Sequence, residues 1–544
     1  MHLLVLTIAS FVIFWQALGH DFLINWDDRQ YVLDNPVIRG LSFEHLKTAF
    51  TTFHIGNYAP LHLMSYMLDY EIWGMRASGF IFTNLLLHTL NGILFYLLLR
   101  RVAGEKAWIL AAALIFLIHP VQVESVVWVS QRKNLLAMAF FLIGIYSYSV
   151  YTDKEGKQKY YFYILSLVLF ILALLAKSVV VILPLVLLLF DLCFREKRDL
   201  KGLVIDKIPF IAVAAVFCLV TVKSQSIQFQ GGETTYHGGT PYATFLTMLP
   251  VLVRYLRLVI WPAGLSAVYD VPIKTGIDFE VAVAAVLCAI LIFVGIALYR
   301  RRRDIFFWFA LFFIGLIPVS QIVPIVTLMN DRYLYFPMLG ATGFLGVVIF
   351  RDAMWRELLN QPKNIAASGC FLLIAGALAT TTCQRVGVWQ NSATLWGDAV
   401  RKAPKLALTH DCCGEGLLQQ GRIDEAISQL EIAIRMEPDA ATRTLSQSER
   451  IGLANTRNNL GTAYGMKGMT DAAIMQFTIA IQLNPDFAKA YYNLGNGLMH
   501  KGLVAQALRS FENAVRLEPG NQAFVANLSL TREILNRGNL KIPE

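Results

Sequence analysis

Long apolar runs separated by short polar segments fill the first 383 residues of this 544-residue chain. A helix that crosses a membrane needs roughly 17–25 residues, because the hydrocarbon core is about 30 Å thick. We therefore predict about eleven transmembrane helices, several of them short. They are expected at 1–19, 79–99, 107–120, 134–151, 160–176, 178–194, 208–223, 280–299, 305–323, 333–350 and 365–383.

The pattern changes near residue 384, where the sequence becomes polar and helix-periodic. We predict a membrane domain at 1–383, with a long first outer loop at 20–78. Residues 384–402 are predicted to be a linker, and residues 403–544 a domain of helical repeats. The predicted fold class is therefore all-α: a polytopic membrane bundle followed by an α-solenoid.

A 34-residue period marks the C-terminal region, which is the period of tetratricopeptide (TPR) repeats. Two copies of one pattern stand 34 residues apart within residues 461–519, and an earlier copy contains Gly421, Leu430, Ala433 and Pro438. About three repeats are therefore predicted, which is close to the minimum for a stable stack. TPR arrays commonly bind peptides in a concave groove, and a polypeptide partner or acceptor is expected there by analogy. A packing or dimerisation module is the alternative. The recurring positions are Gly461, Gly468, Phe477, Ala480 and Pro485, repeated at Gly495, Gly502, Phe511, Ala514 and Pro519.

The net charge of +9 reflects basic clusters in short segments between apolar runs. Cytoplasmic segments carry such an excess, so we place the N-terminus inside and the C-terminus outside. A crossing at 244–262 would turn the Arg300–Arg303 cluster outward, so we interpret 244–262 as an amphipathic interfacial helix. No basic stripe is interleaved with aromatic residues, and a nucleic-acid partner is therefore not expected. The other inside clusters are 100–106, 154–159, 195–201 and 351–363.

Two adjacent carboxylates, Asp27 and Asp28, follow the first apolar helix. Partial desolvation beside a bilayer raises the pKa of a carboxyl group and suits it to act as a general base. Such a pair could also bind a divalent metal. The structural alternative is a helix N-cap with a solvated neighbour.

Further polar residues are predicted at the outer ends of later helices. His119, Glu124 and Arg132 lie in the second outer segment, where cations depart from the charge rule and could grip a lipid phosphate. An ion pair with Glu124 is the structural alternative. Lys177 lies between two apolar runs, and Asp331-Arg332-Tyr333 opens another. Ionisable groups at membrane depth are energetically costly, so they suggest a function. The structural alternatives are snorkelling of Lys177 to the membrane surface and a local Asp331–Arg332 ion pair. No P-loop, dinucleotide-binding glycine pattern or HExxH motif is present, so ATP-driven chemistry is not expected.

In this order, the motifs resemble those of the transmembrane-and-TPR-containing protein O-mannosyltransferases, including bacterial relatives, within the GT-C glycosyltransferase superfamily. The resemblance extends over nearly the whole chain. It is carried by Trp26-Asp27-Asp28, Asn35-Pro36, His119-Pro120, Glu124-Ser125-Val126, Lys177, the run from Asp331 to Pro337, and the repeat domain.

The resemblance implies a GT-C-type bundle that takes a mannose-like sugar from a polyprenyl-phosphate lipid and passes it to a hydroxyl acceptor, such as protein Ser or Thr, on the non-cytoplasmic face. Asp27 and Asp28 are implied as the catalytic carboxylates, without distinguishing which is the base. The inferred phosphate contacts are Arg132, Lys177 and Arg332, and the residues expected to shape the site are His119, Glu124, Asp331 and Tyr333.

The repeat array is shorter than in eukaryotic members of that family, which favours a bacterial inner membrane with the repeats in the periplasm. It also leaves a glycan, lipid or small secreted acceptor open. No firm cofactor is predicted, and a metal requirement stays open. The main alternative function is a membrane-anchored TPR scaffold for an envelope complex. A flippase, transporter or polymer ligase is less favoured. Transporters commonly show internal repeats among their spans and charges near the middle of the membrane, and neither feature is clear in this sequence.

Overall fold

The computed structural model describes residues 1–106, 108–195, 200–228, 236–350, 362–436 and 446–539. Within these ranges the chain is helical with connecting turns and no strand. It forms two compact units, Met1–Gln390 and Asn391–Glu544. The all-α prediction is confirmed. The predicted basic segments 195–201 and 351–363 lie partly outside the described residues, and Pro438 lies outside them.

The first unit is a helical bundle with short 3-10 or π turns between some helices. Its helices are α1 His2–Phe14, α2 Phe43–Thr51, α3 Pro60–Trp73, α4 Ala77–Ala103, α5 Trp108–Ile118, α6 Val123–Val127, α7 Arg132–Asp153, α8 Gly156–Ala176, α9 Leu183–Phe194, α10 Leu200–Ile205, α11 Ile208–Gln228, α12 Pro241–Ile260, α13 Phe279–Arg301, α14 Arg303–Leu316, α15 Pro337–Phe350 and α16 Pro362–Val388.

Each of the eleven predicted membrane segments contains or overlaps a helix of this unit. Among the described residues, eight helices are long and apolar enough to cross a membrane, or nine if the bent pair Trp108–Ile118 and Pro120–Val127 is one span. Two further apolar helices, Ser178–Phe194 and Pro337–Val348, are shorter, as the lengths of their apolar runs predict. The apolar helices confirm a membrane protein, and the number of crossings stays a prediction.

Helix α12 is apolar enough to be one of the eight, although the sequence places 244–262 in the interface. Its hydrogen bonds nevertheless go to one end of the bundle. The Tyr255 hydroxyl accepts from the N–H of Asn330, the Thr247 hydroxyl from the N–H of Lys274, and the Val259 carbonyl bonds His119. These partners lie before α15, before α13 and after α5, which share an end. The contacts therefore fit a helix lying along that end.

Helices α14 and α15 form an antiparallel pair that fixes this end of the bundle. A Cβ on Gly340 would lie 2.2 Å from the backbone nitrogen of Phe312, so only glycine permits the observed approach. Gly346 of α15 in turn lies against Trp108 at the start of α5. The beginning of α15, the end of α14 and the end of α5 consequently meet at one end.

The second unit contains α17 Ser392–Lys402, α18 Ala407–Gln419, α19 Ile423–Met436, α20 Gln447–Met466, α21 Thr470–Leu483, α22 Ala488–His500, α23 Val504–Leu517 and α24 Gln522–Asn539. Glycine makes close helix pairing possible: a Cβ on Gly461 would lie 2.7 Å from Phe477, and one on Gly495 2.6 Å from Phe511. This repeated contact is the physical basis of the 34-residue period.

The segment predicted to be a linker, 384–402, differs from that prediction. Its first residues complete α16, and Ser392–Lys402 forms α17, which belongs to the second unit. The Asn391 side chain accepts from the N–H of Thr394, and the Thr394 hydroxyl bonds back to Asn391, so a capping box starts the helix. Buried Leu395, Trp396 and Ala399 then give α17 an apolar face. Because the segment is polar on average, its composition predicted a linker and not an amphipathic helix.

Candidate active site

The sequence-predicted polar residues gather at the end of the bundle where α5 ends and α15 begins. Asp27 and Asp28 follow α1, Lys177 follows α8, and Arg332 lies in the 3-10 turn before α15. The Arg101–Asp153 ion pair lies at the opposite end, where α4 and α7 end. The cluster thus lies at the end remote from the basic segments used to predict orientation.

Asp28 is buried between the segment that follows α1 and the turn that precedes α7, with only 1% of its surface exposed. Its Oδ2 accepts from the N–H of Leu23 at 3.1 Å, and its Oδ1 accepts from the N–H of Ser130 at 2.9 Å and from the Ser130 hydroxyl. Burial raises the pKa of Asp28 to about 6, although these hydrogen bonds lower it. Both oxygens are engaged, so the geometry favours a positioning role for Asp28.

Asp27 has the opposite environment, because its side chain is only half-buried. Its carboxylate lies close enough to interact electrostatically with Lys133, Lys177 and Arg332. Lys133 also packs over Tyr31, with its Nζ 4.7 Å from the ring centroid. An accessible carboxylate beside several cations is suited to remove a proton next to a bound anion.

Glu124 and Arg332 form the best-defined ion pair of the cluster. The Glu124 side chain is fully buried; its Oε2 accepts from the backbone N–H of Arg332 at 2.8 Å and its Oε1 from NH1 at 2.5 Å. The guanidinium carbon lies 5.4 Å from the ring centroids of Trp128 and Tyr333. Glu124 thus fixes both the backbone and the side chain of Arg332.

Lys177 is held at the end of α8 by Asn134, whose Oδ1 accepts from its Nζ at 2.6 Å. Burial and the neighbouring cations Lys133 and Arg332 lower the pKa of Lys177 well below its ordinary value. The basic groups here are Lys133, Lys177 and Arg332, and the carboxylates within electrostatic reach of them are Asp27, Asp28 and Glu124. A bound anion such as a phosphate would favour the charged form of Lys177.

Arg132 corrects one sequence-based assignment, because it does not have the surroundings of a phosphate ligand. Its side chain is fully buried and forms an ion pair with Asp69. Its Nε donates to Asn84 at 2.8 Å and its NH2 to the carbonyl of Phe80 at 2.7 Å, while its guanidinium carbon lies 4.7 Å from the Tyr66 ring centroid. We interpret Arg132 as a structural cation that joins α3 and α4 to the start of α7.

The remaining predicted residues support neighbouring loops. His119 bonds the carbonyl of Val259 through Nε2 at 3.0 Å, and its Nδ1 accepts from the N–H of Val121. Asp331 is buried and accepts from the Tyr269 hydroxyl, with NH2 of Arg385 3.6 Å away. The Tyr333 hydroxyl lies 2.5 Å from that of Thr327. These contacts fit a shaping role.

Two residues outside the predicted site complete it. Lys133 directly follows Arg132 in the sequence, but its proximity to Asp27 depends on how loop 20–78 folds. Ser130 carried no signal in the sequence, because it meets Asp28 across 102 positions. In the described part of the chain, no group of three or more His, Cys, Asp or Glu side chains is arranged to hold a metal ion.

An apolar cavity of about 1220 Å³ lies among α9, α12, α13 and α14. Its wall includes Leu189, Leu249, Ile292 and Phe313. A cavity with such walls suits a hydrocarbon chain, because burial of apolar surface is favourable and no polar group there needs a partner.

Tetratricopeptide repeat models match residues 414–447 and 488–521. The chain is 22% identical over 456 residues to protein O-mannosyl-transferase F38B6.6 of Caenorhabditis elegans, covering 80% of this chain and 63% of that protein. It is 23% identical over 509 residues to human protein O-mannosyl-transferase TMTC1, covering 84% and 56%. The chain is similar to the TMTC proteins and contains tetratricopeptide repeats.

This TMTC-like chain spans about half to two thirds of the length of these two relatives. Among solved structures, it is similar to the first TPR domain of the human RPAP3 protein, with 22% identity and a TM-score of 0.22; that match covers 26% of this chain and 99% of the RPAP3 domain. The expected resemblance and the TPR prediction are confirmed.

Proposed function

We propose that this TMTC-like chain is a membrane glycosyltransferase that moves a mannose-like sugar from a polyprenyl-phosphate donor to a Ser or Thr hydroxyl of a protein. The observation that carries this proposal is the half-buried Asp27 carboxylate beside Lys133, Lys177 and Arg332. The names of the relatives, protein O-mannosyl-transferases, support the sugar and the protein acceptor.

In the proposed reaction, Asp27 takes the proton of the acceptor hydroxyl as its oxygen attacks the anomeric carbon of the sugar. The bond from that carbon to the phosphate oxygen breaks, and polyprenyl phosphate leaves with the bonding electrons. Positively charged groups held in place before the reaction stabilise negative charge as it develops. Arg332, Lys133 and Lys177 supply these charges, and Glu124 keeps Arg332 oriented.

The polyprenyl chain of the donor would occupy the apolar cavity among α9, α12, α13 and α14. Such a donor brings an activated sugar to a compartment in which nucleotide sugars are scarce.

The cluster lies at the end of the bundle remote from the Arg101–Asp153 pair, and the positive-inside rule then favours a non-cytoplasmic site. We propose a bacterial inner membrane with a periplasmic active site, and leave a metal requirement to experiment.

Purified protein in detergent tests this function directly. It would be incubated with polyprenyl-phosphate mannose carrying a radiolabelled sugar and with a Ser/Thr-rich peptide; glucose and arabinose donors would run in parallel. Transfer from the mannose donor alone is expected. Transfer from another donor would correct the sugar, and absence of transfer with all donors, to peptides and glycans alike, would favour the TPR scaffold instead.

A further inference from the structure

A basic pocket of about 440 Å³ lies beside the C-terminal half of α12. Its wall includes two arginines of that helix, Arg254 and Arg257, together with Tyr269 and Met329. The Tyr269 hydroxyl donates to Asp331, in the turn before α15. The basic pocket therefore borders the polar cluster around the proposed active site, but its arginines take no part in the proposed reaction.

The two arginines of the basic pocket differ in what they contact. Arg254 donates to Oε1 of Glu280 at 3.1 Å, and Nζ of Lys274 lies 2.7 Å from the other oxygen of that carboxylate. Lys274 also pairs with Asp278 at 2.6 Å. Arg257 is exposed, and within the described part of the chain no hydrogen bond or ion pair engages its guanidinium. Arg257 is consequently available to bind an anion.

The basic pocket adjoins the apolar cavity among α9, α12, α13 and α14. On α12, Leu252 lines the cavity and its neighbour Val253 lines the pocket. On α13, Val281 lines the cavity and its neighbour Glu280 lines the pocket. An apolar space and a basic space thus meet at the same two helices. This is the division of surface that a lipid with an anionic headgroup requires.

The end of α12 has the character of a membrane surface. Ile260 and Trp261, which follow Arg257 by one turn, are both exposed. Tryptophan is enriched where lipid headgroups meet the hydrocarbon region. The arginines of the basic pocket therefore lie at the depth of lipid phosphates.

We propose that the basic pocket binds the phosphate of sugar-free polyprenyl phosphate, with the hydrocarbon chain in the adjoining cavity. A phosphate monoester carries a charge of about −1.5 to −2 at pH 7, whereas the diester of a sugar-loaded donor carries a single negative charge. Two guanidinium groups match the larger charge and can each bind two phosphate oxygens. Arg254 exchanges Glu280 for the ligand, and Arg257 binds it directly.

The basic pocket is then the place to which the phosphate moves once the sugar has left it. The hydrocarbon chain stays in the cavity while the headgroup moves from the cluster around Asp27 to Arg257. As a site for the product of the transfer, the inference rests on the proposed function. Binding of a lipid phosphate monoester does not rest on it.

Binding of geranylgeranyl phosphate to the full-length protein in detergent tests the proposal by isothermal titration calorimetry. Three further probes separate the sources of affinity: geranylgeraniol lacks the phosphate, inorganic phosphate lacks the chain, and phosphatidylglycerol carries a diester. We expect geranylgeranyl phosphate to bind at least about tenfold more tightly than each of them. Equal affinity for any of the three would overturn the assignment to a lipid phosphate monoester.

The matched variants change single charges around the basic pocket. Arg257→Gln should weaken binding of geranylgeranyl phosphate roughly tenfold, as for loss of a charge-assisted hydrogen bond. Glu280→Gln should strengthen it roughly two- to fivefold, because a carboxylate no longer competes for Arg254. Arg300→Gln, which changes an exposed arginine at the other end of α13, is the control and should leave affinity unchanged. Unchanged affinity of Arg257→Gln, or no gain in a folded Glu280→Gln protein, would overturn the site.

Failure of this site is separable from failure of the transferase, because binding is measured without donor sugar or acceptor. If no donor supports transfer but Arg257→Gln still binds geranylgeranyl phosphate more weakly than Arg300→Gln, the lipid site stands and the transfer is rejected. If transfer occurs but the two variants bind this lipid equally, the lipid site alone is rejected.

Discussion

Glu124 engages Arg332 twice, with Oε2 accepting from the backbone N–H at 2.8 Å and Oε1 from the guanidinium NH1 at 2.5 Å. The two residues are 208 positions apart, so this pair joins α6 to the turn before α15. Within the residues that the structure describes, the other guanidinium nitrogens of Arg332, Nε and Nη2, donate no hydrogen bond, so they can bind a ligand. Glu124 therefore acts through Arg332 on the charge that faces the proposed donor phosphate.

Glu124→Gln should weaken donor binding while preserving the fold. The amide can still accept from the backbone of Arg332, but it no longer holds the guanidinium by charge. We expect the donor KM to rise roughly tenfold, as for loss of one charge-assisted hydrogen bond. Steady-state kinetics with varied donor concentration measure it. Glu105→Gln, which changes an exposed glutamate paired with Arg100, is the control and should leave KM unchanged.

Arg132 and Arg332 should respond differently to substitution. Arg132→Met leaves Asp69 buried without its cation, and breaking such a pair destabilises a protein by about 3–5 kcal/mol. We expect a lower melting temperature, partly restored by adding Asp69→Asn. Arg332→Lys should keep the fold and raise the donor KM, because lysine lacks the guanidinium fork. A stable Arg132→Met protein with a raised donor KM would restore Arg132 to the phosphate site.

Asp28→Ala should act mainly on stability. The substitution removes the acceptor for the N–H groups of Leu23 and Ser130 and for the Ser130 hydroxyl, in a fully buried position. Each unsatisfied buried donor costs about 1–3 kcal/mol, so the melting temperature should fall clearly. Thermal unfolding in detergent provides the measurement. An unchanged melting temperature together with complete loss of turnover would instead make Asp28 the base.

Lys177 should give donor binding a pH dependence. Because burial and the neighbouring cations hold the pKa of Lys177 well below the ordinary lysine value, its positive charge is lost at a lower pH than that of an exposed lysine. The donor KM should therefore increase with pH. Lys177→Arg keeps its charge throughout and should flatten the profile. A profile that is the same in both proteins would remove Lys177 from the donor site.

Much of the fold follows from local patterns in the sequence. Apolar length predicts the membrane helices, and the recurrence of Gly461 and Phe477 at Gly495 and Phe511 predicts the repeats, since each glycine packs against the aromatic ring of its own repeat. The helix within segment 384–402 was not predicted, because the Asn391 cap and the single apolar face of α17 are weak signals inside a polar stretch.

The sequence predicts both the residues of the candidate site and a role for each, but the surroundings of each side chain depend on the fold. Asp27 and Asp28 are neighbours in sequence, and only the folded segment containing Ser130 shows which one is buried. The sequence gives Arg132 and Arg332 the same expected role, contact with a phosphate. In the structure, Arg132 instead pairs with Asp69, 63 positions earlier. Roles of this kind depend on long-range contacts, which no local spacing encodes.

If Asp27 is the base of the sugar transfer, replacing it should slow a single turnover that starts with the donor already bound, without weakening donor binding. Wild-type and Asp27→Asn proteins would be saturated with labelled polyprenyl-phosphate mannose and then mixed with peptide acceptor. Equal donor binding, an unchanged melting temperature and a transfer rate lower by about 10²–10⁴ in the variant are predicted, the range typical of lost general-base catalysis. A variant that binds donor and transfers mannose at the wild-type rate would show that Asp27 is not the base.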